Sequence, residues 1–433
     1  MRIDRLTIQN FKGFAAQKFA FHPEFNLLVG ANGTGKTTAL DALAVALGSW
    51  FLGVRGADSR HIRSEEVRLA HRGNGADSSW EKQFPCAVQA FGQVQKQKLA
   101  WKRSLNTPDG RTTYKDAEAI KKMASAADGA IRDGQEILLP LISYYGTGRL
   151  WQEPREAFQV SDPLEVTDKE EQSRLAGYRN SVDPRLSVRQ LTRWIARQSW
   201  ITFQQRHQKS SGFTAVKQAI INCIESATDL YFDAKLGEVV IVLETGVQPF
   251  SNLSDGQRGM LAMVGDMAQK AARLNPHLGR AVLQKTPGVV LIDELDLHLH
   301  PRWQRRVIED LRRTFPKVQF ICSSHSPFLI QSLRSGEELI MLDGQPTAEL
   351  SNLSIEDIAL GIQHVAATAT SERYAEMKNV ATHYLKTLDQ AAQAPAQQLQ
   401  AFKQQLADSI KPYASNPAFQ AYLEMKRAAK LGE

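Results

Sequence analysis

The sequence predicts an α/β fold with a parallel sheet at its centre, and three apolar runs carry that prediction. Each run has the length and composition of a buried strand, and polar residues follow it directly. The runs are Phe25–Val29, Gly288–Ile292 and Val318–Ser323. Ligands of open parallel sheets bind beyond the carboxyl ends of the strands, so the residues after these runs are candidates for a functional site.

The first run leads into a glycine-rich loop with the spacing of a phosphate-binding loop. Such a loop points consecutive backbone N–H groups at an anion, and glycine permits both the dihedral angles and the close approach. A helical pattern follows, which places a positive helix N-terminus beside the ligand. We therefore expect the segment to bind a nucleoside triphosphate, with Lys36 between the outer phosphates as a catalytic charge and Thr37 on Mg²⁺. The segment consists of Gly30, Ala31, Asn32, Gly33, Thr34, Gly35, Lys36, Thr37 and Thr38.

The composition is that of a globular chain. Its 433 residues are 42% apolar, with no run of membrane-spanning length and no apolar export signal after the charged N-terminus. We therefore expect a cytoplasmic protein with no membrane partner. Cys86, Cys223 and Cys322 are far apart in sequence and predict neither a disulfide framework nor a zinc site. The formal net charge of +7 allows an anionic partner.

Changes in patterning along the chain predict four regions. Near-alternating apolar residues between Ile3 and Phe11 indicate a strand, and hairpin-like stretches follow. A strongly helical stretch extends from Leu186 to Ile224, and the tail from Asn352 is helical. The predicted regions are an N-terminal lobe with the phosphate loop and a β-rich flank at 1–150, an inserted helical lobe with a basic face at 151–235, a C-terminal lobe of the same head at 236–348, and a helical tail at 349–433 that contacts a partner or another copy.

The basic face of the inserted lobe is a candidate interaction surface. Arg185, Arg189, Arg193 and Arg197 are four residues apart and are expected to fall on one slowly winding helix face, and no Asp or Glu occurs between Arg185 and Lys217. Like charges at this spacing repel each other, so a nucleic acid or an acidic partner would stabilise them. A solvated face, or an intramolecular acidic partner, explains the same pattern equally well, and both interpretations stay open.

The second and third apolar runs end in residues suited to phosphoryl transfer to water. Asp293 is expected to hold Mg²⁺ through its water shell, and Glu294 to position and deprotonate the attacking water. A solvated acidic turn would not explain the apolar run that leads into these two carboxylates. His325 is a candidate donor to the γ-phosphate, although a lone strand-end histidine is more often structural. Arg149, beyond another apolar run, is a further candidate site residue.

The segment Leu-Ser-Asp-Gly-Gln from Leu253 to Gln257 occurs with the other motifs in the order typical of ATP-binding cassette (ABC) ATPases. The chain resembles that family, and more narrowly the soluble branch that includes the Rad50, RecF, SMC and overcoming-lysogenization-defect ATPases. The resemblance covers residues 1 to about 48 and about 250 to 345. It implies an ABC-type P-loop NTPase head with a mixed sheet, flanking helices and an antiparallel β flank, an inserted helical lobe and a helical C-terminal tail.

The resemblance also implies roles for individual residues. Two heads of this family close on ATP and Mg²⁺, so Ser254, Gly256 and Gln257 of one copy are expected to bind the nucleotide held by the other. Asp296 matches the loop that crosses the dimer interface, and Lys12 matches a basic residue near the nucleotide. ATP is therefore expected to join a homodimer or a higher oligomer through its heads.

Chain length narrows the resemblance further. The separation of Lys36 from Ser254 is too long for a transporter cassette and too short for the coiled coils of chromosome-structure proteins. With its Asp-Glu-Leu-Asp segment from Asp293 to Asp296 and its short tail, the chain is similar to the stand-alone ATPases of Septu and retron-linked anti-phage systems, which encode a separate HNH nuclease. This implies an ATPase that dimerises on ATP and regulates an associated nuclease in anti-phage defence.

The chain itself is not expected to be a nuclease, because the residues after His325 contain no second acidic cluster for metal binding. Two alternatives stay open. One is a RecF-like or Rad50-like ATPase of DNA repair or DNA clamping. The other is a non-catalytic scaffold in which nucleotide binding itself is the signal.

Overall fold

The computed structural model describes residues 1–73, 78–149, 173–205, 210–224, 226–343, 355, 358, 372–392, 396–410 and 417–431, which fall into two compact units, 1–355 and 356–433. The strands are β1 (Arg2–Phe11), β2 (Phe14–Ala20), β3 (Phe25–Val29), β4 (Leu69–Arg72), β5 (Ser79–Lys82), β6 (Cys86–Val94), β7 (Gln97–Leu105), β8 (Leu141–Tyr145), β9 (Ala227–Asp233), β10 (Glu238–Leu243), β11 (Gly246–Pro249), β12 (Gly288–Ile292), β13 (Val318–Ser323) and β14 (Leu339–Met341). The α-helices are α1 (Lys36–Phe51), α2 (Glu118–Arg132), α3 (Val188–Gln204), α4 (Ser211–Cys223), α5 (Asp255–Leu274), α6 (Val282–Lys285), α7 (Pro301–Gln304), α8 (Val307–Thr314), α9 (Pro327–Gln331), α10 (Glu372–Ala392), α11 (Ala396–Ile410) and α12 (Pro417–Leu431).

A five-stranded parallel sheet forms the centre of the first unit, in the order β14-β3-β13-β12-β8. Strands β3, β8, β12 and β13 are buried along their whole length, which explains their continuous apolar sequences. Ile292 pairs with Cys322 on one side and with Tyr145 on the other, so the carboxyl ends of these strands meet at one edge. The predicted α/β P-loop fold is therefore confirmed. The central sheet is wholly parallel, and the antiparallel strands form separate sheets.

The largest antiparallel sheet has the order β2-β1-β6-β7. Ile3 and Leu6 are both buried although they are three residues apart, because the register of β1 against β6 shifts between Ile3 and Arg5. The sheet packs against α1, where the Trp101 indole donates to the carbonyl of Ala46 at 2.9 Å. This contact fixes the antiparallel flank on the helix that follows the glycine-rich loop.

Helices α3 and α4 pack against α5. A Cβ atom on Gly265 of α5 would lie 2.6 Å from Leu191 Cδ2 and 3.2 Å from Ile220 Cδ1, so the glycine allows both helices to approach closely. Helix α5 also receives a hydrogen bond from Tyr145, whose hydroxyl donates to Asp266 at 2.7 Å. Helix α5 therefore joins α3 and α4 to the end of β8.

The second unit consists of α10, α11 and α12. These helices pack through a small apolar core of Tyr384, Leu388, Leu406 and Leu423, each no more than 1% exposed. In the part of the chain that the structure describes, neither unit has a helix of the length and apolar character that crossing a membrane requires.

Candidate active site

The glycine-rich loop connects β3 to α1, the strand, loop and helix order that its spacing predicts. Gly33 has φ +85° and Gly35 has φ +105°, conformations that residues with a Cβ atom rarely adopt. A Cβ atom on Gly35 would also overlap the ring of Phe14, which packs directly against the loop. Both glycines are therefore required by the backbone path, and the loop ends at the N-terminus of α1.

Lys36 lies inside the loop, where its ammonium donates to the carbonyls of Gly30 at 2.7 Å and Ala31 at 2.9 Å. Burial lowers the pKa of Lys36, and the carboxylate of Asp343 is the strongest of the nearby charges that oppose this shift. Asp343 also accepts a hydrogen bond from the N–H of Ala31 at 2.8 Å. A carboxylate therefore lies against a loop whose N–H groups suit an anion.

Asp293 connects three elements at the edge of the sheet. The hydroxyl of Thr37, in the first turn of α1, donates to Asp293 Oδ2 at 2.8 Å. The hydroxyl of Ser323, at the end of β13, donates to Asp293 Oδ1 at 2.5 Å. Asp293 is only 2% exposed, so these bonds compensate for the burial of its charge. The structure thus brings together two residues that sequence predicts for the metal, and adds Ser323.

Glu294 follows Asp293 with a left-handed backbone, φ +48°. Its N–H donates to Ser323 Oγ at 2.8 Å, and its carbonyl accepts from Arg149 at 2.9 Å. His325, the other predicted catalytic residue, lies two residues beyond β13 at the same sheet edge and is exposed. The predicted base and histidine therefore follow adjacent strands.

The signature residues form the start of α5. The Ser254 hydroxyl accepts from the N–H of Gln257 at 3.3 Å, and the Gln257 side chain accepts from the N–H of Ser254 at 3.1 Å, which makes a capping box. Ser254 is exposed, whereas Gly256 is buried. A Cβ atom on Gly256 would lie 2.5 Å from the carbonyl oxygen of His298, so the first turn of α5 packs on the segment that follows Glu294.

The remaining nucleotide-site candidates are Asp296 and Lys12. Asp296 is half-buried, and its Oδ1 atom is buried without a hydrogen bond to any residue that the structure describes. Lys12 forms an ion pair with Asp41 of α1, and its ammonium is 3.9 Å from a carboxylate oxygen of Glu66. Asp41 is four residues beyond Thr37, so Lys12 lies against the helix that follows the phosphate loop.

The predicted metal ligands fit Mg²⁺. Thr37 and Asp293 offer a hydroxyl and a carboxylate oxygen 2.8 Å apart, and Mg²⁺ prefers such oxygen ligands. No group of three or more His, Cys, Asp or Glu residues suited to a metal occurs within the described ranges. A site of this kind suits Mg²⁺ that is shared with substrate phosphates and water, as in phosphate-loop enzymes.

The predicted basic face lies only partly on a helix. Arg185 precedes α3, because Ser187 caps the first turn by accepting from the N–H of Gln190 at 3.3 Å. The prediction that Arg185 belongs to the helix face is therefore wrong. Its guanidinium donates to Asp183 at 2.8 and 2.6 Å, and this bonding raises the pKa of Arg185. The other three arginines lie on α3, where Arg189 is exposed and Arg193 and Arg197 are half-buried.

Sequence reasoning missed two residues at this site. Ser323 places a hydroxyl at the end of an otherwise apolar strand, and this pattern is visible in the sequence. Asp343 follows the short strand β14, and its place beside the loop depends on the pairing of β14 with β3. That pairing joins segments more than 300 residues apart in the chain, and strand order of this kind cannot be inferred from local periodicity.

Comparison with known families gives two matches along the chain. The AAA domain family matches residues 5–227, and a second AAA domain family matches residues 232–331. Together they include the phosphate loop, the signature, Asp293, Glu294 and His325.

The chain is similar in sequence to probable ATPases of retrons and to a protein of a Septu system. It is 22% identical to the Retron Ec83 probable ATPase of Escherichia coli, over 80% of this chain and 72% of that protein. It is 24% identical to the Septu protein PtuA of Bacillus mycoides strain KBAB4, over 79% of this chain and 41% of that protein. A shorter match to the Retron Vc95 probable ATPase of Vibrio cholerae serotype O1 biovar El Tor is 45% identical and covers 19% of this chain and 16% of that protein. The chain therefore matches less than half the length of two of these relatives.

Proposed function

The chain belongs to the AAA domain family, and on that premise we propose that it binds ATP with Mg²⁺ and hydrolyses the γ-phosphate. The observation that carries this proposal is the position of Asp293. Its two carboxylate oxygens accept hydrogen bonds from Thr37 of the phosphate loop and from Ser323, and Ser323 in turn accepts from the N–H of Glu294. One bonded chain thus joins the phosphate loop to the candidate base.

Each residue has a defined task in this proposal. The loop N–H groups and Lys36 bind the phosphates, and the hydroxyl of Thr37 and the carboxylate of Asp293 would hold Mg²⁺, which neutralises phosphate charge. Glu294 orients the attacking water and accepts its proton. His325 donates a hydrogen bond to the γ-phosphate.

Replacing Glu294 with Gln tests the catalytic assignment. The amide keeps the size of the side chain but removes its basicity, so we expect ATP to stay bound while turnover falls by about 100-fold or more. Phosphate release measures turnover, and filter binding of labelled ATP measures affinity. Glu118→Gln, at the start of α2, removes the same charge outside the proposed site and is the control. An unchanged turnover rate in Glu294→Gln would refute the role of Glu294.

We propose further that two copies close on ATP. The exposed signature Ser254 would then contact the nucleotide of the other copy, with Gly256, Gln257 and Asp296 beside it at the interface. The Glu294→Gln variant should accumulate as this closed dimer, because ATP is bound but not consumed. Mass measurement of the variant with and without ATP tests the dimer, and a monomer under both conditions would contradict it.

The similarity to a retron ATPase and to a Septu protein supports a role in anti-phage defence. In this proposal ATP-dependent assembly restrains or licenses a separate nuclease of the HNH type, and the remaining arginines of α3 contact that partner or nucleic acid. Co-purification with the product of a neighbouring gene tests the partner. A neighbouring replication cluster would favour the repair alternative instead, and ATP binding without turnover by the unmodified protein would favour the scaffold.

A further inference from the structure

Arg149 is a buried cation beside the proposed catalytic residues, and the roles assigned above do not use it. It is 4% exposed and follows β8 by four residues. Its Nη1 donates to the carbonyls of Asp293 at 2.7 Å and Gly146 at 3.1 Å, and its Nη2 donates to the carbonyl of Glu294 at 2.9 Å. The guanidinium therefore bonds the backbone of both residues in the carboxylate pair.

The backbone at Glu294 needs such support. Its φ of +48° is unfavourable for a residue with a Cβ atom, and such conformations persist where surrounding contacts determine them. Three hydrogen bonds fix this residue. Ser323 accepts from its N–H, and its carbonyl accepts from Arg149 and, at 3.0 Å, from the N–H of Leu297. Since the backbone is fixed on both sides of the Cα atom, the direction in which the Glu294 side chain leaves the backbone is fixed as well.

The charge of Arg149 also requires an explanation. Burial lowers the pKa of Arg149, and the carboxylates of Asp293, Glu294 and Asp296 oppose that shift. A buried guanidinium is unfavourable unless it is well compensated, and a neutral donor could have bonded a carbonyl with a smaller desolvation penalty. A planar group with several fixed donors can hold two successive carbonyls at once, which an ammonium or a hydroxyl cannot do with the same geometry.

We propose that Arg149 is a positioning residue for ATP hydrolysis, which holds the backbone of Glu294 in the left-handed conformation that aims its carboxylate. The inference rests on the proposed role of Glu294 as the base. Arg149 itself does not contact the reacting atoms in this proposal. Its removal should therefore lower the rate of the chemical step and leave ATP binding nearly unchanged.

Arg174 provides a matched control for a purely structural role. Its guanidinium also donates to three backbone carbonyls, those of Leu274 at 2.9 Å, Gln135 at 3.1 Å and Ile137 at 2.6 Å. Gln135 and Ile137 precede β8, whereas Arg149 follows it, so the two arginines lie toward opposite ends of the same strand. Arg174→Lys should reduce thermal stability and leave kcat for ATP within about 2-fold of the unmodified protein.

The test is a double-mutant cycle between Arg149→Lys and Glu294→Gln. We expect Arg149→Lys alone to lower kcat by about 10-fold or more while KM for ATP changes by less than about 3-fold. In the Glu294→Gln background the same change should alter the residual phosphate release by less than about 2-fold, because the base on which Arg149 acts is already gone. If Arg149→Lys does not fold, Arg149→Gln is tested in the same double-mutant cycle. Glutamine keeps hydrogen-bond donors but has no charge.

The outcomes separate this inference from the function on which it rests. If Glu294→Gln leaves turnover unchanged, the proposed role of Glu294 fails, and the inference about Arg149 fails with it. Suppose that Glu294→Gln abolishes turnover but that the Arg149 substitution changes kcat no more than Arg174→Lys does. In that case only the inference about Arg149 is overturned. An equal loss of rate from the Arg149 substitution in both backgrounds would also overturn it, because Arg149 would then act independently of Glu294.

Discussion

Replacing Asp343 with Asn should tighten ATP binding. Asp343 accepts a hydrogen bond from the N–H of Ala31 and is the strongest of the carboxylates acting on Lys36. In the proposed function, phosphate must bind at the same loop, and it would meet the negative charge of this side chain. Asparagine keeps the size of the side chain and an oxygen that can accept from Ala31, so the substitution removes mainly the charge.

The expected gain follows from the position of the carboxylate. Two like unit charges about 4 Å apart repel by about 1 kcal/mol in water and about 4 kcal/mol at the effective dielectric constant near a protein surface. Asp343 is half-buried, so solvent screens much of this repulsion. The substitution also replaces the charged acceptor of the Ala31 N–H with a neutral one, and this loss offsets part of the gain. A net gain of about 1 kcal/mol remains, which corresponds to about 5-fold tighter binding.

Equilibrium titration with a fluorescent ATP analogue at constant Mg²⁺ measures this difference. The gain should shrink as salt is raised from about 0.05 M to about 0.5 M, because salt screens the repulsion. Asp109→Asn, in the exposed turn after β7, removes the same charge from the chain and should leave the affinity unchanged. The reasoning is refuted if Asp343→Asn binds ATP as Asp109→Asn does, or more weakly.

Three further predictions follow from the described contacts. Gly35→Ala should abolish ATP binding, because Gly35 has φ +105° and a Cβ atom there meets Phe14, whereas Gly13→Ala, with no atom within 4 Å of the added Cβ, should bind ATP normally. Asn275→Ala should lower the free energy of unfolding by about 2–4 kcal/mol in chemical denaturation, because the buried amide makes three hydrogen bonds at 2.8, 2.9 and 3.1 Å. Replacing Arg189 and Arg193 with Glu should weaken binding of DNA or the partner and reduce its salt dependence, and unchanged affinity for both would leave α3 as a solvated face.

The sequence predicts those parts of the site that depend on local chemistry. The loop before α1 is recognisable because left-handed dihedral angles at Gly33 and Gly35 demand glycine. Asp293 and Glu294 are recognisable because carboxylates directly after a buried apolar strand are unfavourable without a compensating group. In each case the residue type and its immediate neighbours contain the physical requirement.

Features that depend on contacts between distant segments could not be predicted in this way. The contact of Asp343 with Ala31 requires β14 to lie beside β3, and the contact of Arg149 with Glu294 requires β8 to lie beside β12. The assignment of Arg185 to a helix was wrong for a local reason. The four-residue spacing of the arginines extends to Arg185, but the helix begins only after its cap, Ser187.

The contact between Gly256 and His298 has a consequence for cooperativity. Because Gly256 has no side chain, the first turn of α5 packs closely on the segment after Glu294. This close packing leaves little room for the helix to move without that segment. In a dimer of the proposed kind, Ser254 of each copy completes the site of the other. A rearrangement around Glu294 after hydrolysis would then shift the neighbouring site, so turnover at the two sites should be coupled, with a Hill coefficient for ATP that differs from 1.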